Sequence, residues 1–157
     1  AQAWLLAGLL VVFGGAFDLL DGALARATGK VSKLGAFMDS TFDRWGEGTV
    51  YVGVAAGCVA AGEPFAALLA TLALNSAVMV SYTRARAEGL GFTGEVGIAP
   101  RPERIVILGA GLVASGLAGG PGGSPWLQLA LGALFALTTI TVIHRIVHVR
   151  RQAAQQQ

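Results

Sequence analysis

Four aspartates near the start of this 157-residue chain are spaced so that their carboxylates could share one small volume. They are Asp18, Asp21, Asp39 and Asp43. Side chains three or four positions apart lie on one face of a helix, so the spacing predicts two helices that each present two carboxylates. Two like charges about 4 Å apart repel by roughly 4 kcal/mol at an effective dielectric of 20. The cluster therefore needs cations, and oxygen-only ligands favour Mg²⁺, Mn²⁺ or Ca²⁺ over zinc.

Small residues accompany the aspartates on the same helix faces. Gly22 and Ala25 follow the first pair, and Gly35 precedes the second, which would let a ligand lie against the backbone. Arg26 and Arg44 could neutralise part of the charge, but pairing with these two alone would leave two carboxylates over. A carboxylate-lined ion or proton carrier is the alternative function that uses the same acids. An ion path does not need the small residues and Arg26, whereas a nucleotide site does.

The elements that carry these residues are predicted to be membrane helices. Hydrophobic residues make up 54% of the chain and charged residues 13%, and an ordinary soluble domain has about 25% charged residues. The low polarity excludes disorder, and the single Cys58 excludes a disulfide scaffold. We predict one domain over residues 1–157, an all-α polytopic transmembrane bundle of five helices. The predicted spans are 1–17, 48–62, 65–83, 105–119 and 126–143. The first helix can continue to about Ala27 and the second can begin near Lys33, and both extensions contain carboxylates.

The basic residues predict the orientation of these spans. With alternating spans, all eleven Lys and Arg residues fall on one side, and the two opposite loops contain none. This asymmetry places the aspartates and arginines at the cytoplasmic face of a plasma membrane, and a soluble bundle would not need it. The first run lacks the basic flank of a signal peptide. Because the chain begins inside hydrophobic sequence without Met, we expect its natural N-terminus to be missing.

The aspartates and small residues match the signature D-x2-D-G-x2-A-R-x8-G-x3-D-x3-D at all eight fixed positions over 26 residues. On this motif the chain resembles the CDP-alcohol phosphotransferase family. The resemblance implies a six-helix integral membrane enzyme with the motif across its second and third helices. It therefore also implies that the first helix and an amphipathic N-terminal helix of the family are absent from this sequence.

The resemblance further implies transfer of a phosphatidyl or similar group from a CDP-alcohol to a second alcohol, with release of CMP. By similarity, the metal ligands are Asp18, Asp21, Asp39 and Asp43. Asp43 would also be the general base on the acceptor hydroxyl. The nucleotide site would be lined by Asp18, Gly22, Ala25, Arg26 and Gly35. The chemistry agrees, because two metal ions neutralise a diphosphate and a positioned carboxylate activates a hydroxyl.

Three further segments, 39–44, 81–88 and 101–104, resemble the branch of the family that uses inositol phosphate as acceptor, the phosphatidylinositol-phosphate synthases of actinobacteria and their archaeal relatives. Arginine suits a phosphorylated acceptor because its planar fork binds phosphate oxygens bidentately. By similarity, the acceptor phosphate would be held by Ser81, Arg104 and Arg145, with Arg84, Arg86 and Arg101 as further candidates. The alternative for each arginine is an anchor to lipid headgroups, which is the better interpretation for Arg150 and Arg151.

The resulting prediction is a Mg²⁺-dependent enzyme of a bacterial plasma membrane that holds two metal ions, with Mn²⁺ as a substitute. It would join CDP-diacylglycerol to inositol phosphate and would not bind nucleic acid. Other acceptors or donors remain open within the class, namely glycerol phosphate, or CDP-inositol with inositol phosphate. Small-residue faces at Gly53 and Gly57 and at Gly111, Ser115 and Gly119 predict close helix packing, and either could serve a homodimer. The roles of Glu47, His144 and His148 stay open.

Overall fold

Five helices account for nearly all of the described chain in the computed structural model, which describes the backbone of residues 1–27 and 32–156 and the side chains of residues 1–17 and 32–156. They are α1 (Gln2–Ala27), α2 (Lys33–Ala60), α3 (Pro64–Gly89), α4 (Arg101–Leu117) and α5 (Trp126–Gln155), with a short 3-10 turn at Pro121–Gly123. No strand occurs in this described part. The predicted all-α class is confirmed.

The helix boundaries follow from local sequence. Ser32 caps α2, because its Oγ accepts a hydrogen bond of 3.0 Å from the backbone nitrogen of Gly35. Gly62 turns the chain between α2 and α3 with a φ of 74°, a conformation that favours glycine. Pro64 follows as the first residue of α3, where its missing N–H costs nothing.

The helices pack in the neighbour order α1, α4, α5, α3 and α2. Helix α3 contributes a stripe of buried alanines, which lets it approach α5 closely: Ala66, Ala70, Ala73 and Ala77. The facing residues of α5 are larger and fully buried, among them Leu127, Leu131 and Leu134. In the same contact, the Thr138 hydroxyl donates to Ser76 Oγ over 2.7 Å, so these two buried hydroxyl groups are paired with each other.

Helices α3 and α5 are the two described helices that are long and apolar enough to cross a bilayer, with mean hydropathies of 1.7 and 1.9. The other three predicted spans lie largely in helices, which do not meet that measure over their described residues. The described side chains of α1 form an apolar stretch over Gln2–Phe17, and α4 has 17 residues. In α2 the cause is charge, since Asp39, Asp43 and Glu47 occupy its first half.

Helices α1 and α4 approach so closely that glycine is required between them. A Cβ on Gly116 would overlap the backbone of Leu5 in α1, whereas a Cβ on Gly132 of α5 would meet nothing within 4 Å. We expect Gly116→Ala to lower the free energy of unfolding by about 1–3 kcal/mol, because α1 must shift away. Thermal unfolding in detergent measures this, with Gly132→Ala as the matched control. Equal unfolding temperatures for the two variants would contradict the packing.

Candidate active site

Asp39 and Asp43 lie one turn apart on α2, as the spacing predicts, and they differ in environment. Asp39 is exposed, and the Asp43 side chain is only 16% exposed. Five of the residues predicted from the motif lie outside the described side chains: Asp18, Asp21, Gly22, Ala25 and Arg26. The convergence of all four carboxylates, and the nucleotide site with Gly35, therefore stay predictions.

Among the described residues, Arg101 and Arg44 contact the Asp43 carboxylate. Arg101 Nη1, from the first turn of α4, lies 2.8 Å from Asp43 Oδ2, and Arg44 Nη2 lies 3.4 Å from the same oxygen. Arg44 also donates from Nη1 to Ser81 Oγ of α3 over 2.7 Å. Three helices thus meet in one polar network, which connects the predicted general base to a residue predicted to contact the acceptor.

Glu47 lies one turn beyond Asp43 and forms a buried pair with Arg104. Arg104 donates from Nε and Nη2 to the two carboxylate oxygens over 2.7 and 2.8 Å, and from Nη1 to the Ala99 carbonyl over 3.1 Å. The Arg104 side chain is 2% exposed and the Glu47 side chain is 10% exposed. A guanidinium has five N–H groups. Arg104 uses three of them in bonds to described residues, which leaves two N–H groups that could donate to a further acceptor. The pair therefore fixes the orientation of Arg104 without using all its donors.

Arg145 fixes the connection between α3 and α4 from the side of α5. It donates from Nε to the Val96 carbonyl over 2.8 Å and from Nη1 to the Val80 carbonyl. Nearby, the Thr141 hydroxyl accepts from the backbone nitrogens of Ile98 and Ala99 over 3.2 and 3.3 Å. The connection therefore lies between the buried guanidinium groups of Arg104 and Arg145.

A cavity of about 550 Å³ opens between α2 and α3 beside this network. It brings Ser81 and Arg84 together with Arg44, and its further lining residues include Ser40 and Tyr82. Arg84 is half exposed and pairs with Glu88 and Glu95, each at 2.8 Å.

The six residues predicted to contact the acceptor phosphate do not share one cavity. Arg101 and Arg104 line a second cavity of about 330 Å³ between α1, α2 and α4, which also contains Glu47 and the buried Tyr51. Arg86 lies on the opposite side of α3 and lines a third cavity, with Arg145 and residues of α5. Two positions along a helix rotate a side chain by about 200°, which explains why Arg84 and Arg86 diverge. Of the six, Ser81 and Arg84 share the 550 Å³ cavity.

Charge in the network is mixed rather than simply cationic. Burial lowers the pKa of the Arg44 guanidinium, while the carboxylates of Glu47 and Asp43 oppose that shift. The neighbouring charges of Arg101 and Arg104 lower it further. A phosphate placed among these arginines would be stabilised by the same cations that repel one another now.

The donor set suits a hard cation, as far as it is described. Within the described side chains, no group of three or more potential ligands of the His, Cys, Asp and Glu types could hold a metal ion. Asp39 and Asp43 supply two carboxylates at one-turn spacing, and oxygen ligands of this kind match Mg²⁺ or Mn²⁺. The set fits the predicted ion provided that Asp18 and Asp21 complete it.

Sequence reasoning missed the contacts that join different helices at this site. Glu47 continues the face of Asp39 and Asp43, a signal visible in the sequence, but its partner Arg104 lies 57 positions away. The bond from Arg44 to Ser81 likewise joins residues 37 positions apart. Spacing along one helix predicts a shared face and contains no information about which other helix covers that face.

Comparison with known proteins gives a consistent set of relatives. The model of the CDP-alcohol phosphatidyltransferase family matches residues 1–148. The archaetidylinositol phosphate synthase of Methanothermobacter thermautotrophicus is 43% identical over 142 residues, which are 89% of this chain and 67% of that protein. The phosphatidylinositol phosphate synthase of Streptomyces avermitilis is 39% identical over 145 residues, 88% of this chain and 58% of that protein. The chain thus spans roughly three fifths of the length of these curated relatives.

Solved structures show the same fold. The phosphatidylinositol phosphate synthase of Mycobacterium tuberculosis with CDP-DAG bound superimposes with a TM-score of 0.75 at 27% identity, covering 93% of this chain and 83% of that chain. The same enzyme in complex with manganese and citrate gives a TM-score of 0.75 at 28% identity, covering 93% and 79%. These structures are of a membrane enzyme that has been crystallised with a CDP-lipid and with a divalent metal.

Proposed function

Because the chain belongs to the CDP-alcohol phosphatidyltransferase family, we propose that it transfers the phosphatidyl group of CDP-diacylglycerol to inositol phosphate. The products are CMP and phosphatidylinositol phosphate. The relatives named as inositol phosphate lipid synthases and the CDP-DAG-bound structure support this donor and acceptor. The observation that carries the proposal is the network in which Asp43 and Ser81 share Arg44, since it links the predicted base to a cavity that Arg44 and Arg84 line.

The donor half of the site depends on the aspartates. Two divalent ions, Mg²⁺ with Mn²⁺ as a substitute, would be held by Asp18, Asp21, Asp39 and Asp43. Such ions neutralise a diphosphate and stabilise the departing phosphate group. The exposure of Asp39 is compatible with a ligand that arrives from solvent. Gly22, Ala25, Arg26 and Gly35 would line the nucleotide, as the family motif implies.

The acceptor half follows from the chemistry of Asp43. Its carboxylate takes the proton from the acceptor hydroxyl, and the hydroxyl oxygen forms a new bond to the lipid-bearing phosphorus. The bond from that phosphorus to the CMP oxygen breaks, and CMP leaves. Asp43 is held by Arg101 and Arg44, so its carboxylate is oriented before substrate arrives, which is what general-base catalysis requires.

The acceptor phosphate would lie in the cavity between α2 and α3. Ser81 and Arg84 line it, and Arg44 stands between this cavity and Asp43. Arg104 and Arg145, with Arg86 and Arg101 as further candidates, are proposed for this phosphate by similarity alone, since in the structure they line the other two cavities. The distribution of arginines supports placement of the site at the cytoplasmic face of a bacterial plasma membrane. A homodimer stays a prediction.

A CMP-release assay on the natural full-length protein tests the acceptor. The panel is inositol phosphate, inositol and glycerol phosphate, each with CDP-diacylglycerol and with its ether-linked archaetidyl counterpart. We expect inositol phosphate to exceed the other acceptors by at least about tenfold in kcat/KM, because a site that binds a phosphate bidentately discriminates against acceptors that lack it or misplace it. Equal rates with unphosphorylated inositol would contradict the proposed phosphate site. A carrier of ions would release no CMP with any acceptor.

A further inference from the structure

A groove between the C-terminal halves of α3 and α5, the third cavity described above, contains neither Asp43 nor Ser81. It encloses about 310 Å³, and its walls are partly apolar. Ala87 and Leu90 line it from α3, and Ile146 and Val149 line it from α5. Arg86 and Arg150 line it as well, and both are exposed. We call it the α3–α5 groove.

The groove lies where the two described helices that are long and apolar enough to cross a bilayer end on the same side. In the contacts between α3 and α5, residues further along α3 meet residues further along α5. Ser76 bonds Thr138, and Arg145 bonds Val80, so the helices run parallel. Both are the candidate membrane spans of the described chain. Their arginine-bearing C-terminal ends therefore reach the same interface, the level at which lipid headgroups lie.

The charges in the groove are not balanced within the described protein. Arg84, on the other side of α3, pairs with Glu88 and Glu95. Arg86 and Arg150 form no ion pair with a described residue, and no carboxylate lines the groove. The buried Arg145 adds a third positive charge, with its N–H groups turned to the carbonyls of Val80 and Val96. Three cations beside an apolar wall complement a ligand with a phosphate and an acyl chain.

We propose that the α3–α5 groove binds an anionic membrane phospholipid, with the headgroup phosphate at Arg86 and Arg150 and an acyl chain along the apolar wall. The headgroup position is separate from the proposed acceptor cavity, because Arg86 faces away from Ser81 and Arg84 on α3. Arg145 lines the groove but turns its N–H groups to the carbonyls of Val80 and Val96. It gives Arg86 a role different from the acceptor contact predicted by similarity. The lipid would hold the ends of α3 and α5 together at the membrane interface.

Native mass spectrometry of the full-length protein in neutral detergent tests the site, with phosphatidylglycerol and phosphatidylcholine as probes. Each basic residue near the surface contributes about 1 kcal/mol to anionic lipid binding, or roughly fivefold in affinity. We therefore expect phosphatidylglycerol to bind more tightly than phosphatidylcholine, and Arg86→Gln and Arg150→Gln each to weaken it about fivefold. Arg151→Gln is the matched control, since Arg151 is exposed next to Arg150 and does not line the groove.

The outcomes separate the alternatives. Retained binding in Arg151→Gln together with loss in the other two variants supports the groove. Equal weakening in all three variants would overturn it, because attraction would then be general to the basic surface. Equal affinity for the two lipids would also overturn it. Displacement of phosphatidylglycerol by soluble glycerol phosphate at low concentration would identify a free phosphate site instead of a lipid site. CMP release does not enter this measurement, so the proposed reaction and the groove fail independently.

Discussion

Replacement of Asp43 with asparagine is expected to lower the rate of CMP release by about 10²–10⁴-fold, the contribution typical of a positioned general base. Asparagine has nearly the same shape but cannot take the acceptor proton. It also withdraws the negative charge that Arg101 and Arg44 contact at 2.8 and 3.4 Å. Binding of the CDP-alcohol should stay largely intact, since it depends mainly on the other aspartates and the nucleotide residues.

Two measurements distinguish this loss from unfolding. The first is the thermal unfolding temperature of Asp43→Asn, and the second is the affinity of the variant for a non-reactive CDP-alcohol analogue. Glu63→Gln is the matched carboxylate-to-amide control. Glu63 lies in the turn between α2 and α3, at the ends of these helices that are far from Asp43, and it accepts a hydrogen bond from Gln128. The Glu63→Gln variant should therefore retain full turnover. Unchanged turnover in Asp43→Asn would remove the general-base assignment.

Truncation of Arg104 to alanine should have the largest effect on stability. It leaves the Glu47 carboxylate, 10% exposed, without its bidentate partner in the interior. Removal of one member of a buried ion pair costs about 3–5 kcal/mol. The variant should therefore unfold at a markedly lower temperature. It should also raise the KM for inositol phosphate by a larger factor than it raises the dissociation constant of the CDP-lipid, because Arg104 is proposed to contact the acceptor phosphate.

A double variant separates these two effects. Glu47→Leu with Arg104→Met replaces the pair by apolar side chains of similar volume, a change that is often neutral or stabilising. The unfolding temperature should return toward that of the natural protein, while the affinity for inositol phosphate should not. If acceptor affinity returns with stability, Arg104 is purely structural. If Arg104→Ala weakens both substrates equally, the same conclusion follows.

The helices were predictable from the sequence because their signals are local. The apolar runs, the Gly62 turn with Pro64 after it, and the cap at Ser32 each act within a few residues. Hydrophobicity alone indicates only the apolar second half of α2 as a span. The helical character of the flanking sequence extends the prediction back to about Lys33 and extends the first helix to about Ala27. Both extensions are confirmed, since α2 covers Lys33–Ala60 and α1 ends at Ala27.

The site was predictable only in part, for a related reason. One-turn spacing correctly predicts that Asp39 and Asp43 share a face of α2, and resemblance supplies their expected chemistry. The residues that surround this face come from α3 and α4. Arg101 of α4 contacts Asp43, Ser81 of α3 bonds Arg44, and Arg104 of α4 bonds Glu47. Such contacts depend on how helices pack, and packing is set by small residues such as Gly116 and the alanines of α3. The diverging directions of Arg84 and Arg86 show the same limit.

The metal dependence of CMP release tests the central claim most directly, namely that divalent ions held by the aspartates bind the diphosphate of the donor. The assay uses the full-length protein with CDP-diacylglycerol and inositol phosphate, first in Mg²⁺, then in excess chelator, then with Mg²⁺ or Mn²⁺ restored. The account predicts that chelation abolishes CMP release, that either ion restores it, and that Asp39→Asn needs much more metal for the same rate. CMP release that continues unchanged in metal-free protein would contradict it.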